Sequence, residues 1–343
     1  MDNLQKKLLL LSQVDNSQLD TVTGFDLTQT LRSFPVSQYT TLASFLEEVP
    51  RFTESRLVQK FLVQYYEGMK QNSDAMPEDY LALLKANVRF RTTNHEMMAF
   101  SLGELWQRKS LLSPQHHVTV LALLSEAGIF IEEILTHLLQ SILKSPTYYQ
   151  STAPALAYYI GRLKPMHGML QVSQLLRPLV LDSREQAAMW AAGNLMTRGR
   201  VDLMELKRLY DGLPVSENLS IAELIFLQTV DPNGTANASK PTLESLFSIS
   251  EKEQIGLRKL LSGLNFQELA GVGTSIGPYY FPEKRTFLWP TTQFSRNYMS
   301  ESLRGDFQFY KESLLKAGFD VIEQPTSSLL QLSNTQLQSL LSP

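Results

Sequence analysis

From about Leu19 to about Val230 the apolar positions recur at helical spacing, in runs of roughly ten to fifteen residues separated by Ser, Pro, Gly or Asn. Strand-like alternation is nearly missing there. Four related cores stand out: Leu42-Ala43-Ser44-Phe45-Leu46, Leu81-Ala82-Leu83-Leu84, Leu121-Ala122-Leu123-Leu124 and Leu156-Ala157-Tyr158-Tyr159. Each follows a helix-start signal, namely Pro35-Val36-Ser37, Pro77-Glu78-Asp79, Ser113-Pro114 and Ala153-Pro154. Pro77, Pro114 and Pro154 suit a first helical turn, where the missing N–H would have no partner anyway. The cores lie roughly 35 to 40 residues apart, the length of a two-helix repeat. Second helices are expected at Glu54 to Met69, Asn94 to Lys109, Ile131 to Lys144 and Gln171 to Val180. A less regular pair is expected at Arg184 to Thr197 and Asp202 to Tyr210. An amphipathic pair cannot bury its apolar stripe alone, so stacking into an α-solenoid is the expected arrangement, with an irregular bundle as the alternative.

The pattern breaks at Asp231-Pro232-Asn233-Gly234-Thr235-Ala236-Asn237-Ala238-Ser239-Lys240-Pro241, which has two turn signals and no large apolar side chain. The expected organisation is therefore a helical-repeat domain over 1–230, a linker at 231–241 and a C-terminal region over 242–343. Leu243 to Leu264 predicts one or two helices, and Gly271-Val272-Gly273-Thr274-Ser275-Ile276-Gly277-Pro278 a glycine-rich break. From about residue 279 the period changes. Thr286-Phe287-Leu288-Trp289 is a β-prone run closed by Pro290, and Gly305-Asp306 opens a helix with Phe307, Tyr310, Leu314 and Leu315 on one face. Gly318 stops that helix, Phe319 to Gln324 predicts a second strand ended by Pro325, and Asn334 to Leu341 a last helix. The fold class expected is mainly α, with a small α/β module at the end.

Hydrophobic residues make up 43% of the 343 positions and aromatics 10%, enough for a substantial core. Lys and Arg total 31 against 34 Asp and Glu, a net charge of −3, so the field of the whole chain does not attract polyanions. With no cysteine, disulfides, thiolate metal sites and a cysteine nucleophile are excluded. The sequons at Asn218, Asn233 and Asn237 read as chance matches, since no signal peptide precedes them. The apolar run Leu8 to Leu11 is too short for a signal sequence, and the opening segment is not the Arg-rich, acid-poor type of a transit peptide, so a presequence is expected to be absent or already removed. No apolar stretch approaches the ~20 residues of a membrane span; the charge-free stretch Ser145 to Gly161 is interrupted by Pro146 and Pro154.

The succession of hydrophobic strand, turn, Leu303-Arg304-Gly305-Asp306, helix, Lys316-Ala317-Gly318-Phe319-Asp320-Val321-Ile322 and terminal helix resembles the RAP domain. That module ends proteins of the Fas-activated serine/threonine kinase family and many organellar helical-repeat proteins. The resemblance implies a mitochondrial, matrix location and work on organellar RNA or within the mitochondrial ribosome. It also implies a nuclease-like fold in which an acidic residue leaves the end of a core strand to hold a metal, in an Asp-Gly-Pro run followed by His-Phe. Here Pro290 and Phe294 are kept, but Leu288 and Trp289 replace the Asp and Gly, and Gln293 the His. Leucine offers no oxygen to Mg²⁺, so catalysis is not expected. Among nearby carboxylates, Asp306 reads as a helix cap, and Asp320 and Glu323 fall on opposite strand faces.

No other motif supplies chemistry. The five histidines lack metal-ligand spacing, Gly271-Val272-Gly273 lacks the rest of a dinucleotide fingerprint, and no phosphate-binding lysine loop or nucleophile elbow occurs. No metal or cofactor is expected. The candidate RNA contacts are Arg198, Arg200, Lys207 and Arg208, with Arg89 and Arg91 beside Arg108 and Lys109 as a second group. Trp106 or Trp190 could stack a base, although both sit on apolar helical faces, and the basic groups neighbour Asp202, Glu205, Glu96 and Glu104. The expected function is that of a non-catalytic helical-repeat scaffold, a subunit of a large mitochondrial assembly such as the mitoribosome or a respiratory or ATP synthase complex. The alternative is a mitochondrial RNA-binding factor in RNA processing, stability or translation, whose partners would include rRNA or mRNA.

Overall fold

The computed structural model describes residues 56–71, 74–89, 95–163, 176, 178–197, 199, 201–215, 219–230, 243–247, 249–272, 275–292 and 305–341. The chain is mainly helical with a small four-stranded sheet. It divides into two compact units, Met1–Leu123 and Leu124–Pro343. The expected linker at 231–241 and the first core, Leu42 to Leu46, lie outside the described residues.

The first unit contains α1 (Arg56–Lys70), α2 (Pro77–Arg89), α3 (His95–Gln107) and most of α4 (Pro114–Ala127). Pro77 and Pro114 each open a helix, as their position predicts. Ser113 and His116 cap α4 reciprocally: the His116 N–H donates to Ser113 Oγ at 3.2 Å, and the Ser113 N–H to His116 Nδ1 at 3.3 Å. Tyr65, fully buried, ties α1 to α2 by donating its hydroxyl to the Asp79 carbonyl at 3.1 Å. Phe100 of α3 meets Tyr66 and Tyr80 edge-on, with ring centroids 5.3 and 5.9 Å away.

In the second unit, Gly128 ends α4 in the left-handed conformation (φ 66°) that favours glycine, and Ile129 donates back to the Leu124 carbonyl at 2.9 Å. There follow α5 (Glu132–Lys144), α6 (Ala153–Leu163), α7 (Arg184–Met196), α8 (Leu203–Gly212) and α9 (Ile221–Val230). The helix expected at Gln171 to Val180 is corrected in part: Leu176 and residues 178–181 lie outside any helix. Helices α6 and α7 pack closely through small residues, among them Ala157 on one side and Ala187, Ala188, Ala191 and Ala192 on the other, all buried. Asp202 caps α8 by accepting the Met204 and Glu205 N–H groups, both at 3.0 Å.

The C-terminal part adds α10 (Leu243–Phe247), α11 (Glu251–Leu261), β1 (Gln267–Val272), β2 (Ser275–Phe281), β3 (Thr286–Thr291), α12 (Gly305–Lys316), β4 (Asp320–Pro325), α13 (Thr326–Leu329) and α14 (Asn334–Leu340). The sheet order is β1-β2-β3-β4, the first three antiparallel and β4 parallel to β3 across the α12 crossover. The segment expected as a glycine-rich break therefore supplies a hairpin, with Ala270 opposite Gly277 and Gly271 opposite Ile276. Gly277 belongs there because a β-carbon on it would come within 2.2 Å of the Phe287 ring. Pro290 does not close β3. The strand continues to Thr291, pairing Pro290 with Gln324, because its register with β2 has already ended at Leu288 and no donor is required on that side.

All six residues of β3 are buried, so its apolar run reads as a central strand rather than a half-exposed one. Phe247 of α10 sits among Trp289, Phe307 and Tyr310, with centroids 5.1, 6.1 and 6.1 Å away. One hydrophobic core runs from Tyr158 and the alanine face of α7, through Ile225 and Phe226 of α9, to the sheet and Leu341.

Candidate functional site

The RAP resemblance would place a metal-holding acid near the carboxyl end of β3, where this chain has Leu288 and Trp289. Leu288 and Trp289 are both fully buried there. Trp289 packs edge-on to Phe307, centroids 6.4 Å apart, and Thr291 and Thr292 beyond it are also buried. The Thr326 hydroxyl closes this end by donating to the Thr291 carbonyl at 3.1 Å. Of the carboxylates singled out in the sequence, Glu323 lies opposite Trp289, whereas Asp320 pairs with Thr286 and Glu283 precedes β3, both at the other end of the strand. Glu323 takes the Lys311 ammonium at 2.6 Å, Glu312 accepts from Gln308 at 2.9 Å, Glu283 accepts from Asn265 at 3.2 Å, and Asp320 is exposed. Among the described residues no group of three or more His, Cys, Asp or Glu side chains is placed to hold a metal ion.

Asp306 does not precede its helix as the expected cap would, because α12 already begins at Gly305 and places Asp306 within the first turn. Its Oδ1 accepts the Phe307 N–H at 3.0 Å, and its Oδ2 accepts Arg162 Nε at 3.0 Å. Arg162 comes from the last turn of α6, and the pair is buried, with side chains 7% and 4% exposed. Burial alone works against the guanidinium charge; Tyr158, Asp306 and Glu126 outweigh it and raise the Arg162 pKa above its ordinary value. Tyr310, one turn along α12 from Asp306, has its pKa raised well above the usual phenol value, chiefly by burial and further by Tyr158 and Asp306. Sequence reasoning passed over Arg162. Its signal was nevertheless present, as the charge that ends the charge-free stretch Ser145 to Gly161 on an apolar helix.

Of the candidate RNA contacts, Lys207 and Arg208 stand together on α8. The Lys207 ammonium is held by both Asp211 oxygens, at 2.6 and 2.7 Å, while Arg208 is exposed. Arg89 is the last residue of α2. Arg91, Arg198 and Arg200 lie outside the described residues. In the second group Arg108 pairs with Glu104 and lies over the Tyr80 ring at 4.8 Å, and Lys109 lies over the Trp106 ring at 4.1 Å. The chain's own cations thus occupy aromatic faces that a base would need. Trp190 is partly buried against the core of the second unit.

A second polar contact, also unforeseen, fixes α8 to α9. The Tyr210 hydroxyl donates to Glu223 Oε1 at 2.9 Å, and Glu223 Oε2 accepts the Ser220 N–H at 2.8 Å. Arg184 of α7 lies over the Tyr210 ring at 4.8 Å and donates to the Leu213 carbonyl at 2.9 Å. These side chains staple helices together. No protein-family model matches the chain, and no curated protein matches its sequence.

Proposed function

We propose that this chain is a non-catalytic helical scaffold, a protein subunit of a large mitochondrial assembly, with a degenerate RAP-like module at its C-terminal end. The observation that carries the reading is the buried Leu288 and Trp289 at the strand end where such a module would present a metal ligand. A tryptophan with no exposed surface, packed among Phe247 and Phe307, serves the core and leaves that strand end without a carboxylate. The order of β3, α12, β4 and terminal helices supports the RAP-like reading, and the spacing of Pro77, Pro114 and Pro154 supports stacked two-helix repeats. The mitochondrial location and the kind of assembly come from the RAP resemblance alone. Among the described residues no helix is long and apolar enough to cross a membrane.

The RNA-binding alternative finds less support, because Lys207, Arg108 and Lys109 are already paired or stacked within the chain. The test is incubation of the purified protein with labelled single-stranded RNA, with Mg²⁺, with Mn²⁺ and with chelator. The proposal expects no cleavage in any condition and only weak binding that fades steeply as salt rises from 50 to 200 mM. Metal-dependent cleavage would overturn the non-catalytic reading, and tight, salt-resistant binding would transfer the function to RNA.

A further inference from the structure

Arg162 and Asp306 lie 144 residues apart in sequence and meet in the interior of the second unit. One belongs to the helical part and the other to the first turn of the crossover helix that joins β3 to β4. We infer that this ion pair is a latch: it makes the seating of α12 conditional on α6, so that helices α6 to α9 and the C-terminal sheet open as a single cooperative unit. The RAP-like module is then not an autonomous domain, and the boundary expected at 231–241 falls within one cooperative body.

Three observations carry this. The first is the electrostatics of a partial seating. A slipped or half-docked α12 would leave one charge buried without the other, which is strongly unfavourable, whereas the closed pair is compensated and the fully open pair is hydrated. Intermediate positions are therefore depopulated, and docking becomes all-or-none. The second is packing, since α12 contacts α6 and α7 as well as β2 and β4, and its buried Phe307, Tyr310 and Leu314 belong to the same core as the alanine face of α7. The third is the surrounding chemistry: Tyr158, four residues before Arg162 on α6, has its ring 5.6 Å from the guanidinium. Tyr310, four residues beyond Asp306, is 1% exposed. The latch is thus walled by aromatic side chains from both helices, which keep water from it while it is closed.

The experiment is hydrogen exchange on the full chain, read by mass spectrometry on peptides across sub-denaturing urea. Peptides from α6, α7, α9, β2, β3, α12 and β4 are expected to converge on one opening isotherm. If β2, β3, α12 and β4 exchange through an opening of lower urea midpoint while α6 to α9 stay protected, the module is separable and the inference fails. Arg162→Ala and Asp306→Ala are each expected to speed exchange by roughly a hundredfold or more, in α6 and α12 together. The paired replacement Arg162→Met with Asp306→Leu is expected to restore protection to within about tenfold of wild type. Loosening confined to α12, or to α6, would overturn the latch. Should the single variants fail to fold, the wild-type isotherms decide the question by themselves.

Discussion

Replacing Gly193 by alanine tests the account of how the second unit is held together. Gly193 sits in α7 against the backbone of α6, and a β-carbon added there would come within 2.4 Å of the Ala157 carbonyl carbon, 2.6 Å of its oxygen and 2.6 Å of the Tyr158 nitrogen. Carbon atoms rest at about 3.5 Å, so the helices must part by about 1 Å. All three obstacles are backbone, and none can turn aside as a side chain would. Overpacking a well-filled interior costs about 1–3 kcal/mol, and a backbone clash belongs at the upper end. Alanine returns about 0.5–1 kcal/mol in helix propensity, which leaves a net loss of about 2 kcal/mol. Gly103 in α3 and Gly212 in α8 are the controls, because a β-carbon at either meets nothing within 4 Å. There the same substitution should stabilise by up to about 1 kcal/mol. Urea unfolding followed by far-ultraviolet circular dichroism, with exchange of α6 and α7 peptides to localise the effect, measures all three. A neutral or stabilising Gly193→Ala would refute the close approach of α6 and α7.

Two further outcomes follow from the buried polar groups. Single removal of Arg162 or Asp306 should cost about 3–5 kcal/mol, while Arg162→Met with Asp306→Leu should be nearly neutral, as chemical denaturation of the three proteins will show. Burial raises the pKa of Tyr210, Tyr279 and Tyr310 above the ordinary value of 10.0, assisted by the Glu223 hydrogen bond at Tyr210 and by Glu268 at Tyr279. Their contribution to stability is complete below pH 10 and is lost as pH rises from there toward the folded values, because the unfolded chain gives up those protons first. Absorbance at 295 nm should therefore show these phenols ionising together with loss of helical dichroism, and ionisation well before unfolding would contradict their burial.

Much of the helical part was legible because apolar periodicity and start signals agree. Pro77, Pro114 and Asp202 stand where a missing donor or a capping carboxylate is useful, and each begins a helix within a residue or two of the expected place. Gly318 stops α12 with φ 80°, for the same local reason that it was read as a stop. The hairpin of β1 and β2 was not legible, because Gly271, Gly277 and Pro278 are residues of turns by propensity. Only the approach of the Phe287 ring, supplied by a different strand, makes glycine useful inside β2. Pro290 misled in the same way, since whether a proline ends a strand depends on which neighbour needs its donor. The partners of Arg162 and Tyr210 were hidden for another reason: sequence separation says nothing about which buried charge finds which acceptor. Trp289 was legible as part of a β-prone run, and its full burial fits a central strand.

The measurement closest to the central claim is purification of the tagged protein from its native cells under gentle conditions, with and without RNase, and with protein partners quantified by mass spectrometry. The scaffold account predicts a defined, stoichiometric set of mitochondrial protein subunits that survives RNase. Loss of the partners on RNase treatment, with RNA carrying the association, would contradict it.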